Sequence, residues 1–499
     1  MDHIVQDGRH GLENRIHIVN EDGQVVSKRM PENYSITPLE LEQGDSKDDR
    51  NRTNQQQQQQ QIDDWLPITQ SRNGNSWTAT FHLLCSGIGT QTLSLPLAFV
   101  YLGWFWGVLC LCVAFIWQLY TIGLLVRLHE SFPGTRYNRY LQLSMAAFGE
   151  KLGKYLAIFP VLYLAGGTCV MFIITGGGTL KLFYRLMCDD CSSKNPLTTT
   201  QWFLIFVCLA IFVSILCPNM NSVSLVSFLG AIMAVGYCTV IWIFLVSKGR
   251  LVDTAHDPSK AVMSEVGRAR SILNALGLIA LSFRGHNVVL EIQATMPSSP
   301  NCLSVKLIRK GVIASYLTIA MCFFPIAIVG YWTFGNKFPS TGGMLVALTT
   351  SLHHNSSKPV LGLIYMQVIL SCVSAFQIYS MVIYDNLEHA YINKTGKKCP
   401  KIIAIGLRIL FGGVTYFVSV AVPFLPTLGI IIGGIALPLT FGYPCLMWLA
   451  IKKPPTNSVR FWLNLGLGCL GIGLSVLVVV GGVWNLVCRG LDANFFHPH

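Results

Sequence analysis

Three ionisable side chains lie within one short and otherwise apolar stretch of the sequence, ALSFRGHNVVLEI. They are Arg284, His286 and Glu291. A guanidinium binds anionic groups, an imidazole with an ordinary pKa of about 6.5 exchanges protons near neutral pH, and a carboxylate binds a proton or pairs with a cation. A charge in an apolar helix that crosses a bilayer costs about 2.5–3.5 kcal/mol on insertion-based scales, so it faces a partner or a cavity. The stretch therefore predicts a cavity lining rather than a lipid-facing surface.

The composition of the whole chain is that of a membrane protein. Of its 499 residues, 52% are hydrophobic and only 12% are charged, with a mean hydropathy of +0.49. Soluble domains carry roughly 25% charged residues. Runs without any charge, such as 205–217, 225–246 and 430–450, indicate helices that cross a bilayer. We predict an all-α polytopic membrane protein, and the net charge of +12 reflects basic loops rather than nucleic-acid binding.

The sequence divides into three regions. Residues 1–75 are polar, contain the polyglutamine run Gln55–Gln61 and lack the apolar content for a core, so they predict a disordered cytoplasmic tail. No signal peptide precedes the first apolar run near Trp77. Residues 76–488 form the predicted transmembrane domain, and 489–499 form a short C-terminal tail.

Hydropathy predicts eleven membrane spans, numbered here 1 to 11. They cover 77–100, 104–126, 155–184, 201–217, 222–246, 271–293, 311–334, 358–384, 402–422, 428–450 and 461–487. With the N-terminus inside, the inner loops carry more lysine and arginine than the outer loops, although the 247–270 loop weakens this bias. The odd number of spans then places the C-terminus outside.

Spans 1 and 6 contain the signals of broken helices. Span 1 reads FHLLCSGIGTQTLSLPLAF, with Gly87 and Gly89 in its middle and Pro96 beyond them. Span 6 has Gly285 among polar neighbours. Glycines in membrane helices are also common as simple close-packing points. Because the two spans lie five apart, an inverted repeat of five plus five helices makes them equivalent, and in such folds the broken helices form the substrate site.

Broken helices supply free backbone groups that suit a zwitterion. Free N–H groups at a half-helix start bind a carboxylate, and free carbonyl groups bind a cation, so an amino acid uses both. The candidate substrate-binding residues are Ser86, Gly87, Ile88, Gly89, Thr90, Ser282, Arg284, Gly285, His286 and Asn287. Glu291 either pairs with Arg284 or lies near the inner membrane edge as a cap or gate.

Several segments resemble the plant lysine histidine transporter-like proteins of the amino acid/auxin permease family. They are FRGHNVVLEIQATMPSSP (283–300), CFFPIAIVGYWTFGN (322–336), LHESFPGTRYNRYLQLSMAAFGEKLG (128–153), SCVSAFQIYSM (371–381) and LPLTFGYPCLMWLAIKKP (437–454). The resemblance covers about residues 70–499. Its most specific motif is a glycine, a histidine and an asparagine, with an acidic residue five positions after the histidine.

The resemblance implies a fold and a function. It implies the five-plus-five inverted repeat of the LeuT-like APC superfamily with one extra helix, and an amino acid carrier of the plasma membrane that generally works with protons. The substrate carboxylate is then expected at residues 86–89, with Gly285 and His286 facing it. Where typical members resemble YAGHN, this chain has FRGHN, so Arg284 puts a cationic substrate in doubt.

The predicted mechanism is proton-coupled symport by alternating access. His286 is the first candidate for the proton-coupling group and Glu291 is the second. One alternative is a sodium-coupled symporter that uses carbonyls near Ser86 and the hydroxyls of Ser371 and Ser374. Another is a sensor that binds an amino acid without moving it. The sequence contains no enzyme motif that fits its spans, and we expect no cofactor, no metal and no nucleic-acid partner, only the substrate and the bilayer.

Two loop features have chemical consequences. Cys188 and Cys191 are close enough in sequence for a tight disulfide, and a metal site would need further ligands nearby; the sequence leaves open whether either forms. Asn355 begins an Asn-Ser-Ser sequon in a predicted outer loop, where it is accessible to glycosylation.

Overall fold

Long helices make up most of the protein, as a computed structural model shows. The residues that the structure describes are 15–19, 25–29, 61–131, 135–188, 197–251, 254–258, 264–283, 285–299, 303–339, 342–351, 358–422 and 429–489. The chain divides into two compact units, Met1–Gln61 and Ile62–His499. In a bilayer, every backbone polar group needs an internal partner, which accounts for the helices of the second unit.

The first unit contains two described strands, β1 (Arg15–Val19) and β2 (Val25–Arg29). They pair antiparallel, with Arg15 opposite Arg29 and Val19 opposite Val25. The prediction of disorder for the tail did not anticipate this strand pair. Residues 30–60, with most of the polyglutamine run, lie outside the described part of the chain.

Fifteen described helices form the second unit. They are α1 (Ser76–Gly87), α2 (Leu95–Leu128), α3 (Tyr140–Phe148), α4 (Glu150–Met187), α5 (Thr199–Leu216), α6 (Ser224–Lys248), α7 (Glu265–Ser282), α8 (Val289–Ala294), α9 (Ser304–Phe334), α10 (Gly343–Ser351), α11 (Lys358–Thr395), α12 (Lys401–Ala421), α13 (Gly429–Leu437), α14 (Tyr443–Lys452) and α15 (Val459–Arg489). Thr90–Ser94 and Gly335–Lys337 form 3-10 turns, and Pro438–Gly442 forms a π-helical turn between α13 and α14.

Nine helical segments among the described residues are long and apolar enough to cross a membrane. They correspond to predicted spans 2–5 and 7–11. Spans 1 and 6 are absent from this set because each is divided into shorter helices. Spans 1 and 2 join at Gly103, whose φ of +74° interrupts the helical backbone of α2. Large apolar side chains cover the outer helix faces, for example Phe105 and Ile402 at 70% and 84% exposure, as expected of a surface in contact with lipid.

The structure places the start of the membrane unit earlier than the predicted boundary at residue 75. Leu66 and Ile68 are buried, and the backbone N–H of Ile68 donates to Asp385 Oδ1 at 3.3 Å. The segment 62–75 therefore belongs to the second unit. Its few apolar residues were hidden by polar neighbours, which is why composition alone assigned it to the tail.

Span 8 also extends beyond its prediction. Sequence analysis ends it at residue 384, before Asp385, whereas α11 continues to Thr395. The carboxylate of Asp385 does not end the helix because Arg139 neutralises it at a buried position. Helix α11 packs against α4 and α6, and it is the central helix around which the site is built.

Close packing also explains several glycines. A side chain at Gly230 in α6 would collide with Ser374 in α11. Gly176 and Gly177 in α4 are similarly close to Phe206 and Phe203 of α5. These glycines allow helix axes to approach closely, which is the ordinary role of small residues in membrane bundles.

Candidate functional site

The interruptions of spans 1 and 6 meet inside the bundle. Helix α1 ends at Gly87 and α7 ends at Ser282, and the extended residues that follow, Ile88 and Phe283, form an antiparallel β-bridge with each other. Both side chains are buried. The structure therefore brings together the two segments that the sequence identifies as broken.

The break in span 1 is held mainly by its own backbone and by span 8. The Ser86 hydroxyl donates to the His82 carbonyl at 2.8 Å, and the Ser86 carbonyl accepts from the Tyr379 hydroxyl at 2.9 Å. The N–H of Ile88 donates to Leu84 O, and that of Gly89 donates to Gly87 O. In this conformation both N–H groups donate to carbonyl groups within the segment. The family resemblance had placed a substrate carboxylate at these groups.

The other residues of this break occupy its turn. Thr90 begins the 3-10 turn, is half-buried, and its hydroxyl donates to Gln91 Oε1 at 3.4 Å. A single turn after the break restores the helical direction into α2.

The break in span 6 lines a cavity. A cavity with about 20 Å³ of room for the centres of water-sized molecules lies beside Phe283, Gly285 and Asn287. Gly285 has a φ of +115°, which side chains with a Cβ adopt only under strain, and the space at its Cβ position is open to 4 Å. The hydroxyl of Ser282 points back to Leu278 O at 2.8 Å, inside its own helix.

Spans 3, 8 and 10, together with further residues of span 6, supply the rest of the cavity wall. Its other described lining residues are Leu164, Ala280, Leu281, Tyr379, Gly433, Ala436, Leu437 and Thr440. Sequence analysis missed these contributions from other spans. For Thr440 a signal was present, because Pro438 and Gly442 within an apolar run favour the π-helical turn found there, and such turns are frequent at functional sites.

Asn287 contributes a hydrogen-bond donor to this cavity. Its side chain is 2% exposed, and its amide nitrogen Nδ2 has no hydrogen-bond partner among the described residues. A buried donor without a partner costs about 1–3 kcal/mol. A bound molecule with an acceptor at this point would recover that free energy.

His286 faces away from the cavity, toward α2. Its Nε2 lies 3.0 Å from Thr121 Oγ1 and 3.2 Å from the Gln118 carbonyl oxygen. Because a carbonyl only accepts, Nε2 carries the hydrogen in the neutral ring. The other nitrogen, Nδ1, is buried and has no hydrogen-bond partner in the described part of the chain, so it is the position at which a second proton would bind.

Glu291 lies on the opposite side of the break, in α8. It is buried, its Oε1 accepts from the Tyr140 N–H at 3.4 Å, and its Oε2 has no hydrogen-bond partner within the described ranges. It lines a second, small cavity with Arg139 and Val161. The expectation that Glu291 pairs with Arg284 lies outside the described residues, because Arg284 is not among them.

A buried ionic cluster adjoins the Glu291 cavity, and sequence analysis did not identify it. Arg139, which is 4% exposed, contacts Asp385 Oδ2 through Nε at 2.5 Å and Asp63 Oδ1 through Nη1 at 3.7 Å. Asn138 donates to Asp63 Oδ2 at 2.9 Å, and Arg72 lies 3.5 Å from the same oxygen. We call these five residues the Arg139 cluster.

The electrostatics of the cluster keep Arg139 charged. Burial alone disfavours the guanidinium, but the pairs with Asp385 and Asp63 outweigh it, so that the pKa of Arg139 is raised above its ordinary value. The cluster joins the segment 62–75, the loop before α3 and the end of span 8. The cluster thus holds these three elements together.

A second set of contacts fastens the end of span 6 to two of these elements. Arg136 pairs with Glu130 at 3.2 Å and donates to the Met296 carbonyl at 3.0 Å. The N–H of Gly74 donates to the Thr295 carbonyl at 3.0 Å. A movement of α8 therefore requires these contacts to break.

The remaining sequence expectations concern loops. Cys188 is disulfide-bonded, and its partner is not among the described cysteines. No group of three or more metal-ligating side chains occurs among the residues that the structure describes. Asn355 and the tail 490–499 lie outside the described residues.

Comparisons with known proteins agree with this architecture. Residues 72–488 match the family model described as transmembrane amino acid transporter protein. The chain is 47% identical to lysine histidine transporter-like 8 of Arabidopsis thaliana over 436 residues, which is 87% of this chain and 83% of the relative. It is 46% identical to lysine histidine transporter-like 7 of the same plant, over 88% of this chain and 90% of the relative.

A solved structure shares the fold. A Na⁺-coupled sialic acid symporter in a substrate-bound, outward-open state superposes with a TM-score of 0.52 at 12% identity, covering 85% of this chain and 92% of the other. This likeness and the helices described above confirm the predicted all-α polytopic fold. The resemblance to the lysine histidine transporter-like proteins is likewise confirmed, and because those relatives are named as transporters, the expectation that the chain is not an enzyme is confirmed too.

Proposed function

Because the chain belongs to the family of transmembrane amino acid transporter proteins, we propose that it is a secondary active symporter that carries amino acids into the cell. The observation that carries this proposal is the β-bridge between Ile88 and Phe283, which joins two broken helices. Beside it lies a buried cavity lined by the side-chain amide of Asn287. Broken helices at the middle of a bundle are where such transporters bind substrate.

We place the substrate between the two breaks. The backbone of 86–90 and the residues 282–287 surround the junction, and Gly285 and Asn287 face the cavity directly. Binding of a carboxylate at span 1 requires the N–H groups of Ile88 and Gly89 to exchange their present partners, Leu84 and Gly87, for the ligand. That exchange couples binding to a change in backbone conformation.

Alternating access supplies the transport step. The Arg139 cluster and the contacts of Arg136 and Gly74 hold one face closed. If the N-terminus is cytoplasmic, this is the inner face. Movement of spans 1 and 6 against spans 3, 4, 8 and 9 then has to break the Arg139 cluster before substrate leaves toward the cytoplasm.

Proton coupling requires a group whose proton affinity changes with the access state. His286 and Glu291 are both buried, and each has one atom without a hydrogen-bond partner among the described residues, Nδ1 and Oε2. The proton affinity of His286 depends on its contacts with α2. The proton affinity of Glu291 depends on whether the face held by the Arg139 cluster is closed or open. The proton gradient is then the driving force.

A sodium-coupled mechanism is the second candidate. Its expected ligands include Ser371 and Ser374 of span 8, both buried, and the Ser374 hydroxyl now donates to Leu370 O at 2.9 Å. The Ser86 carbonyl already accepts from Tyr379. Replacement of sodium by choline separates the two mechanisms, because only a sodium symporter loses uptake.

We further propose a plasma-membrane location, with the N-terminal tail in the cytoplasm and the C-terminus outside. The disulfide at Cys188 supports the side assigned to the loop between spans 3 and 4, because disulfides persist in oxidising compartments.

Uptake of labelled amino acids by a yeast strain that lacks its own permeases tests the proposal. We expect uptake that rises as the external pH falls and disappears with a protonophore. A Gly285→Val variant serves as the control that should not transport, because its side chain is incompatible with a φ of +115°. Ligand binding without uptake, despite surface expression, would instead support a sensor.

A further inference from the structure

The cavity beside the span 6 break has an unusual combination of lining atoms. Leu164, Ala280, Leu281, Phe283, Ala436 and Leu437 make most of its described wall apolar. Among the described lining residues there is no acidic side chain and no lysine. A cationic side chain placed here would therefore lose its hydration without gaining a counter-charge from them.

Three polar side chains line this mostly apolar cavity, and in two of them the hydroxyl hydrogen already makes a hydrogen bond. Tyr379 donates to the Ser86 carbonyl at 2.9 Å, and Thr440 donates to the Leu437 carbonyl at 3.1 Å. Thr440, which lines the cavity, keeps the acceptor capacity of its hydroxyl oxygen. Asn287 Nδ2 is a donor without a partner among the described residues.

This set of atoms suits a neutral group that both accepts and donates hydrogen bonds. A primary amide has a carbonyl oxygen that accepts from Asn287 Nδ2 and an NH₂ group that donates to the Thr440 oxygen, whereas a hydroxyl has the same two capacities with a single donor. A carboxylate offers acceptors only, an ammonium offers donors only, and an alkyl group offers neither. Sites built to hydrogen-bond a ligand group discriminate strongly against analogues that lack it, because their own buried polar atoms then stay unpaired.

We propose that this cavity binds the side chain of the substrate and selects neutral amino acids that end in an amide, of which glutamine and asparagine are the natural examples. Asn287 is the specificity-determining residue, and Thr440 on the π-helical turn of span 10 is its complement. The inference rests on the proposed transport function and adds the substrate class to it.

A competition experiment tests this selectivity. Uptake of labelled glutamine is measured against unlabelled glutamine, leucine and lysine, in cells that express the full chain. Leucine controls for apolar fit and lysine for charge at similar side-chain length. We expect glutamine to compete at a concentration about tenfold lower than leucine, the order of one hydrogen bond of about 1.4 kcal/mol, and lysine to compete least.

Two matched variants assign the selectivity to Asn287. Asn287→Leu removes the amide at nearly constant volume, and we expect the ratio of glutamine uptake to leucine uptake to fall about tenfold. Asn274→Leu makes the same change in α7 at a buried position outside the cavity lining, and it should leave the preference unchanged.

The outcomes separate this inference from the proposed function. No uptake of any amino acid by surface-expressed protein would overturn the transport proposal itself. Uptake with leucine or lysine preferred over glutamine would overturn only the selectivity. Equal loss of glutamine and leucine uptake in Asn287→Leu, with their ratio unchanged, would show that Asn287 binds the common backbone of the amino acids, and this too would overturn the assignment.

Discussion

The Arg139 cluster should set how often one face of the bundle opens. Arg139 is nearly inaccessible and contacts two carboxylates, Asp385 at 2.5 Å and Asp63 at 3.7 Å. Removal of one partner from a buried ion pair costs about 3–5 kcal/mol, since the remaining charge stays buried and unpaired. In the open state these carboxylates reach water and that cost disappears. At 1.36 kcal/mol per factor of ten, Arg139→Gln shifts the closed-to-open ratio by about two to four orders of magnitude.

The accessibility of the second cavity reports this shift. Val161 is 4% exposed and lines that cavity with Arg139 and Glu291, so a Val161→Cys thiol reacts with a polar maleimide only when the face opens. The reagent is applied to inside-out vesicles, and the labelling of native cysteines is subtracted with variants that lack the introduced thiol. We expect Arg139→Gln to raise the labelling rate at least tenfold. Arg127→Gln, at an exposed position at the end of α2, removes the same charge and should not raise it.

A second variant distinguishes opening from general loosening of the protein. In Arg139→Met/Asp385→Leu the buried charges of the principal pair are replaced by apolar groups, an exchange that is often neutral for stability. We expect its labelling rate to return toward that of the unaltered protein. An unchanged rate in Arg139→Gln would refute the conclusion that the cluster holds this face closed.

Four further changes test other parts of the site. Glu291→Gln cannot exchange a proton, so if Glu291 couples transport, uptake measured from pH 5 to 8 should lose its pH dependence; retention of the full dependence excludes it. His286→Ala is examined in the same profile, and intact pH-dependent uptake there would rule out the histidine as the coupling group. Gly285→Ala meets open space but forces a φ of +115° on a residue with a Cβ, a strain of about 1–3 kcal/mol, and transport should drop roughly tenfold with expression kept. Burial lowers the pKa of His129, just beyond α2, well below its ordinary value, so below about pH 6.5 the unfolded chain binds a proton that the folded chain does not. Thermal stability in detergent should therefore fall as the pH is lowered through this range. The His129→Gln variant should lose stability less steeply with acidification.

The sequence predicted those features that depend on local backbone chemistry. Gly87, Gly89 and Gly285 indicated two interrupted spans, and the structure shows helix ends at Gly87 and Ser282. The five-span separation indicated that the interruptions are equivalent, and the bridge of Ile88 with Phe283 brings them together. These predictions succeeded because an interrupted helix in a membrane survives only where it is buried in protein or lines a cavity, so the interruptions had to lie inside the bundle.

Features that depend on contacts between distant spans were not predictable in this way. Leu164, Tyr379 and Thr440 come from three different spans, and nothing in their local sequence states that they share a cavity. Arg139 and Asp385 were assigned to loops because a charge usually ends an apolar run. Only their mutual neutralisation, across 246 residues of sequence, permits both to be buried.

The central claim is that the chain moves an amino acid with protons, and proton-driven accumulation tests it most directly. Purified full-length protein is reconstituted into liposomes, and labelled glutamine uptake is followed under an imposed pH gradient, acidic outside, without sodium. The account predicts accumulation of glutamine above its external concentration, accompanied by acidification of the lumen that stops when the gradient is collapsed. Saturable glutamine binding without accumulation under either a proton or a sodium gradient would contradict it, and accumulation that needs sodium would contradict the proton coupling alone.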